Sequence, residues 1–174
     1  MKKIRINHVR AERMILLLCL ACFVMLASGC QPPQGSGFMR KEFLDYRKVA
    51  IPPFQGDPTG DTSKTFTISF RDKFPMMEVF DQHRLLETFK REDLYPDQLS
   101  QATRLKIGET LGAQAVIVGS VYNPSITSWY LQVKVINTRT GETMGTSYVE
   151  MQSVGAGGVI QACNLAVQQL TPMQ

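Results

Sequence analysis

An unbroken apolar run, Met14 to Ala27, follows a basic N-terminal segment. The nature of this run determines which part of the chain can belong to the folded domain. The run is shorter than the roughly 20 residues that a membrane-spanning helix needs, and it has the character of the apolar core of a secretory signal peptide. Small residues, Ala27-Ser28-Gly29, separate it from Cys30. We therefore predict that residues 1–29 are a signal peptide, cleaved between Gly29 and Cys30.

The segment that ends at Cys30 resembles the lipobox of bacterial lipoproteins. In that family the cysteine thiol takes a diacylglycerol and the freed amine takes a third acyl chain, of the palmitate type. Each buried methylene contributes about 0.8 kcal/mol, so that several chains together anchor a protein stably. The resemblance implies a covalent lipid on Cys30. Because Gln31 rather than Asp follows, it also implies the periplasmic face of the outer membrane. The alternative is an ordinary signal peptide with a chance cysteine.

Charge and cysteine content limit the partners and the fold of the mature chain. The 19 Lys and Arg and 15 Asp and Glu of the whole sequence become 14 of each when residues 1–29 are removed. A neutral domain lacks the basic surface of nucleic-acid-binding proteins, so no nucleic-acid partner is expected. Apart from Cys30, the mature chain contains only Cys163. An intramolecular disulfide is therefore excluded, and a hydrophobic core must hold the fold.

Apolar periodicity divides the mature chain into a short tether, residues 30–37, and a single α/β domain, residues 38–174. The seven residues 31–37 would reach about 25 Å when extended. The segment 62–74 fits a strand or a helix, and Pro75 favours the helix. Predicted strands are Lys48–Phe54, Met76–Phe80, Ala115–Val121, Trp129–Asn137 and Thr143–Met151; predicted helices are a lead-in at Phe38–Arg47, then Thr62–Phe74, Gln82–Arg91 capped by Asp81, a helix from Ser100 to Gly112, and Gly158–Leu170.

The predicted fold class is α/β (α+β), a mixed sheet with a C-terminal antiparallel meander and helices mainly on one face. Three successive strands near the C-terminus provide the meander, and the nearly all-apolar Ala115–Val121 has the pattern of a central strand covered on both sides. The buried sides of two helices are predicted to carry Leu85, Leu86 and Phe89, and Val159, Ile160, Cys163, Val167 and Leu170. The other sheet face and one edge are then free for partners.

The sequence offers little material for catalysis or metal binding. His83 is the one histidine of the mature chain, and Cys163 lies on an apolar helix stripe, where a cysteine is usually inert packing. The glycines of residues 155–158 lack the Lys-Ser/Thr of a phosphate loop and indicate a hinge. We therefore predict no catalytic, cofactor or metal site. Trp129, beside a turn-rich segment, is either a membrane or partner contact or a packed strand residue.

Three motifs together resemble one family: KVAIPPF from Lys48, LGAQAVIVGSV from Leu111, and LQVKVINTRTGE from Leu131. Their order is similar to that of the envelope lipoproteins typified by CsgG, LpoB and PelC, and their size and layout are closest to the Pel exopolysaccharide type. The resemblance implies a mixed sheet packed with helices, no enzymatic activity and frequent ring assembly. Two departures are Met144-Gly145 in place of a tryptophan after Thr-Gly-Glu, and the absence of long amphipathic hairpins for a self-made pore.

The expected function is therefore that of an outer-membrane-anchored, non-enzymatic accessory of envelope assembly or of polymer export of the exopolysaccharide type. The expected partners are the membrane through the lipid, further copies of the chain, and export or synthase proteins. No cofactor is expected beyond the lipid on Cys30. The alternative is a lipoprotein that binds and activates an inner-membrane synthase such as a penicillin-binding protein.

Overall fold

The described residues form one six-stranded mixed sheet in this computed structural model, which describes residues 33–80, 82–92, 101–125, 128–151 and 156–172. The sheet order is β1-β6-β5-β4-β2-β3. Strands β4, β5 and β6 form the predicted antiparallel meander, β1 pairs antiparallel with β6, and β2 lies parallel to both β3 and β4. The strands are β1 Gln34–Met39, β2 Lys48–Ala50, β3 Glu78–Val79, β4 Ala115–Ser125, β5 Ser128–Asn137 and β6 Thr143–Met151. The predicted fold class is confirmed.

Four helices and a short 3-10 helix, Lys41–Asp45, complete the described fold. They are α1 Asp61–Lys73, α2 Gln82–Arg91, α3 Gln101–Leu111 and α4 Ala156–Gln169. The ambiguous segment is the helix α1, because Phe66, Phe70 and Phe74 stand four residues apart and pack ring to ring, with centroids 6.1 and 4.7 Å apart. Gly112 follows α3 with a φ of 66°, a left-handed conformation that suits glycine at a helix end. The predicted caps Asp81 and Ser100 lie outside the described residues.

The main core lies between one sheet face and the pair α1 and α4. Leu131, Val133 and Val135 of β5 point into it and are fully buried, as their alternation predicted. The two helices are joined by a hydrogen bond of 2.6 Å between Ser69 Oγ and Asn164 Oδ1. Helices α1 and α4 therefore cover this face of the sheet.

Helices α2 and α3 pack on the opposite face, so the helices are divided between two faces instead of lying mainly on one. Leu85, Phe89 and Ile107 form a second, smaller core with Ala50 of β2 and Val116 of β4. The reason is that β2 and β4 are apolar on both sides where they pair, and both sides must be covered. The remainder of this face, on β5, β6 and the far half of β4, bears no helix among the described residues.

The predicted tether ends earlier than expected, because its second half is strand β1. Gly35 and Gly37 make this possible: a Cβ on Gly35 would stand 2.3 Å from the backbone oxygen of Tyr148, and one on Gly37 would stand 2.8 Å from Cβ of Gln169 on α4. Glycines that indicate a linker in the sequence here permit close approach of two elements. The predicted lead-in helix Phe38–Arg47 is reduced to the 3-10 turn, because Phe38 and Met39 belong to the strand.

Two residues predicted to be buried are exposed: Leu86 by 40% and Ile160 by 50%. In both helices the buried face is narrower than the apolar residues of the sequence predict. It contains Leu85 and Phe89 in α2, and Cys163, Val167 and their neighbours in α4.

Among the helices of the described ranges, none combines the length and the apolar character that crossing a membrane would take.

Candidate functional site: an open sheet face and a cleft beside Trp129

Three tyrosines form a stacked ladder across the part of the sheet that no described helix covers. The Tyr122 and Tyr130 rings have centroids 5.1 Å apart at 19°, and the Tyr130 and Tyr148 rings 5.4 Å apart at 29°. The strand register explains the ladder, because Tyr122 pairs directly with Tyr130, and Tyr148 pairs with Gln132 two residues further along β5. The same face carries the polar side chains Ser120, Gln132, Lys134, Thr146 and Glu150.

Two hydroxyls of this ladder, those of Tyr130 and Tyr148, have raised pKa values and stay protonated at neutral pH. The Tyr130 hydroxyl donates a hydrogen bond to Glu150 Oε1 at 3.2 Å. Partial burial, and then the negative charge of Glu150, raise the pKa of Tyr130. Partial burial and a hydrogen bond with the Tyr122 hydroxyl raise the pKa of Tyr148. Tyr130 and Tyr148 therefore present neutral hydroxyls, each able to donate and to accept a hydrogen bond.

A second feature is a cleft of about 580 Å³ that opens beside Trp129, between the loop after β2 and helices α1 and α4. Its apolar lining includes Val159 together with Ile68 and Ile160, which are 60% and 50% exposed. Trp129 is half-buried and packs against the main core. Its Nε1 is buried and has no hydrogen-bond partner among the described residues. Trp129 thus has one side in the core and one side on the cleft, and its role as a membrane or partner contact stays a prediction.

The cleft lies at the end of the sheet where β1 begins. Gln34, the first residue of β1, pairs with Glu150 of β6, which pairs with Tyr130 of β5. Trp129 is the next residue along β5 and pairs with Met151. The predicted lipidation site and cleavage site, Cys30 and Gly29, lie outside the described residues, so their modification stays a prediction.

Cys163 is placed in the main core and has the properties of a packing residue. Its side chain is fully buried, and its Sγ lies 3.6 Å from the backbone oxygen of Thr62. Burial, and then the charge of Asp57, raise the pKa of the thiol to about 12. A thiol that stays protonated is a poor nucleophile. The structure does not describe the side chain of His83, and the described residues contain no cluster of three metal-ligating side chains.

The tyrosine ladder was missed in the sequence, although a signal for it was present. Two strands of the predicted meander contain a tyrosine that alternates with buried residues, Tyr130 and Tyr148, and Tyr122 directly follows the predicted end of the third strand. A face that is polar apart from aromatic residues repeated on adjacent strands indicates cross-strand pairs. Registering the three strands against one another would have brought Tyr122, Tyr130 and Tyr148 together.

Comparison with known proteins gives similarity in structure alone: neither the family models nor the curated proteins contain a match to this chain. A protomer of the PelC dodecamer from Paraburkholderia phytofirmans is similar with a TM-score of 0.55 and 11% identity, over 82% of this chain and 99% of that chain. The lipoprotein GNA1162 from Neisseria meningitidis has a TM-score of 0.52 at 13% identity, over 62% and 81%.

The C-terminal domain of LpoB from Salmonella enterica is more distant, with a TM-score of 0.48 at 15% identity, over 64% of this chain and 91% of that domain. For the PelC protomer and GNA1162, TM-scores above 0.5 at such low identity establish a common fold and leave function open. The chain therefore shares the fold of PelC and of GNA1162, in agreement with the family fold that its three sequence motifs predicted.

Proposed function

We propose that this chain is an outer-membrane-anchored periplasmic lipoprotein that self-associates and serves, without enzymatic activity, in polymer export of the exopolysaccharide type. The observation that carries the proposal is the similarity to a PelC dodecamer protomer, which extends over 99% of that chain and 82% of this one. The similarity therefore extends over most of the chain rather than over a single motif. The burial of Cys163, the one free cysteine among the described residues, supports the non-enzymatic part of the proposal.

The start of β1 supports a position close to the outer membrane. Only Gln31, Pro32 and Pro33 separate Cys30 from Gln34, so an extended connection reaches about 14 Å. We propose that Trp129 contacts the membrane surface, because it lies at the same end of the sheet as Gln34. Tryptophan is enriched at membrane–water interfaces, where its ring sits at the level of the headgroups.

The same short connection argues against the alternative, a regulator of an inner-membrane synthase. Such a protein must contact its partner from the far side of the periplasm, which requires a long flexible segment between lipid and domain. Here the chain enters the sheet four positions after Cys30, because Gln34 is already paired with Glu150.

The two sheet edges favour assembly by a head-to-tail contact. Strand β1 forms one edge and β3 the other, and the two differ in length and neighbours. Edge strands present unpaired backbone groups that can pair with another chain. A contact between two different surfaces repeats around an axis, and it forms a closed ring when the rotation closes.

The mass of the detergent-purified lipoprotein tests this proposal. We expect a closed oligomer of defined size in native mass spectrometry, and loss of polymer export in cells that lack the protein. The mature chain without its lipid, starting at Gln31, is the control, because an assembly that persists without the lipid is not caused by a shared micelle. A monomer in both preparations would contradict the proposal and favour the regulator.

A further inference from the structure

We propose that the open sheet face around Tyr122, Tyr130 and Tyr148 binds a glycan, and that its occupant is a segment of an uncharged polysaccharide chain. This inference rests on the proposed role in polymer export and names the surface that the polymer contacts. It concerns the sheet face remote from α1 and α4, so it is separate from the cleft beside Trp129.

The side chains on this face match the groups that a sugar presents. Sugar rings have many hydroxyls and, on their faces, patches of C–H groups that stack on aromatic rings. The ladder supplies three rings and three hydroxyls, and Ser120, Gln132 and Thr146 add neutral donors and acceptors beside them. Aromatic rings with a polar handle suit a surface that is partly apolar and partly wet.

The charge of this face favours an uncharged polymer. On β4, β5 and β6 this face carries one positive side chain, Lys134, and one negative side chain, Glu150. Glu150 already accepts a hydrogen bond from the Tyr130 hydroxyl. A polyanion would need an excess of Lys and Arg, and a polycation an excess of carboxylates. Neither excess is present on the described part of these strands.

A second copy of the chain is a less suitable occupant. Stable interfaces between protein copies have an apolar centre of large side chains. Among the described residues of β4, β5 and β6, Tyr122 is the one large hydrophobic side chain that is exposed on this face. Ile68 and Ile160 lie on the helices of the other side. Ile136, on the same side of β5 as the ladder, is 3% exposed and so offers no contact.

The rings of the ladder are positioned by contacts within the protein. Each ring is held by its neighbour, and Tyr130 is held in addition by Glu150 at 3.2 Å. Tyr122 is 45% exposed although one side of its ring is stacked on Tyr130, so the other side is open to a sugar ring. Binding then costs little ordering of side chains, which favours affinity for a flexible polymer. Repetition around an oligomer would multiply weak contacts with one chain.

Affinity electrophoresis of the detergent-purified lipoprotein tests the inference. Native gels contain dextran, pullulan or hydroxyethylcellulose as uncharged polysaccharides, with alginate as the anionic and chitosan as the cationic comparison. We expect retardation by at least one uncharged polysaccharide and not by alginate or chitosan. Tyr122→Ala should weaken that retardation roughly tenfold, the value of one aromatic contact. Tyr148→Phe, which keeps the ring and removes the hydroxyl, should weaken it by a smaller factor. Met76→Ala, at an exposed position in the turn before β3 and outside both candidate sites, is the control and should leave it unchanged.

Three results would overturn the inference: no retardation by any uncharged polysaccharide, equal retardation of wild type and Tyr122→Ala, or a change of oligomeric mass in Tyr122→Ala, which would make the face an interface between copies. Because Tyr122 is half exposed and Tyr148→Phe preserves the stacking, these variants are expected to fold, and a thermal melt verifies it. A protein that assembles and supports export but does not bind glycan would contradict only this inference and leave the proposed function standing.

Discussion

Gly119 of β4 lies directly against the ring of Phe54, so that a Cβ at position 119 would stand 2.5 Å from three ring carbons. The backbone joins them as well, because the N–H of Gln55 donates to the carbonyl of Gly119 at 2.9 Å. Two of the motifs behind the family resemblance, KVAIPPF and LGAQAVIVGSV, therefore meet at one point in the main core. Their contact is a packing feature of the fold rather than a chemical site.

Gly119→Ala should destabilise the protein by about 1–3 kcal/mol, the usual cost of an added group in a filled core. The Phe54 ring has little room to move, because it packs on Phe66 with centroids 5.3 Å apart. Urea denaturation measures the change as a lower midpoint at unchanged slope.

Two further variants make the test of Gly119 specific. Gly157→Ala is the control, because position 157 lies in α4 with nothing within 4 Å of an added Cβ, and its stability should be unchanged or higher. Phe54→Leu in the Gly119→Ala background should recover part of the loss. Additive effects of the two substitutions would show that the contact does not limit stability.

The fold was predictable from residues that contact near neighbours in the chain or that repeat with the period of a helix or a strand. Asn137 ends β5, and its Oδ1 accepts hydrogen bonds from the backbone N–H groups of Arg139 and Thr140 at 2.8 and 3.1 Å, which stabilises the turn between β5 and β6. Gln114 is different: its Oε1 accepts from Arg47 N at 2.6 Å and from Lys48 N at 3.2 Å, 66 residues or more away in the chain. Its place in the motif was visible, but its contact was not, because no local pattern encodes a partner at that distance.

The errors have the same origin. The Gln-Gly-Ser-Gly start of β1 has the composition of a linker, and it becomes a strand only because α4 and β6 meet there and leave no room for side chains. The tyrosine ladder depends on the register of three strands. The position of Trp129 depends on the end of the sheet at which β1 begins. Periodicity shows which face of an element is buried, whereas the neighbours of that face are a property of the assembled fold.

Cys163→Ala should cost about 1–3 kcal/mol and leave export intact, because the residue fills space in the main core. The native thiol should resist a thiol reagent at neutral pH, since it is fully buried and its pKa is about 12. After unfolding in urea one thiol per mature chain should react, if Cys30 is lipidated. Rapid labelling of the native protein, or loss of export with stability unchanged, would contradict a packing role.

The same thiol predicts a loss of stability at alkaline pH. Its folded pKa, about 12, lies above the ordinary value of 9.0, so between these values the unfolded chain releases a proton that the folded chain retains. Stability from this group is complete below pH 9 and decreases as the pH rises towards 12. Urea midpoints for wild type and Cys163→Ala, measured from pH 8 upward, should therefore converge. A constant difference over this range would contradict the prediction.

Cys30→Ala should leave the protein unprocessed or release it from the membrane fraction, because it removes the predicted site of acylation. Fractionation and the mass of the mature protein measure the change; the wild type should gain the mass of its acyl chains. Cys163→Ala is the matched control, since it removes a thiol without touching the anchor. A Cys30→Ala protein that fractionates and migrates like the wild type would contradict lipidation.

Trp129 is the last test, and its fluorescence provides a direct readout because the chain contains one tryptophan. The mature chain starting at Gln31, without lipid, should show a blue shift when vesicles of phosphatidylethanolamine and phosphatidylglycerol are added. Brominated lipids should quench the emission, because the proposal puts one side of the indole at headgroup level.

Trp129→Phe keeps most of the packing against the core and should bind fewer vesicles in flotation. Leu44→Ala is the control: Leu44 is 48% exposed in the 3-10 helix that follows the far end of β1. Emission that neither shifts nor is quenched, with equal flotation of all three proteins, would make Trp129 a core residue only. In that case Trp129→Ala should lower the melting temperature by many degrees, because the loss of a core aromatic side chain reduces the free energy of unfolding by about 3–5 kcal/mol.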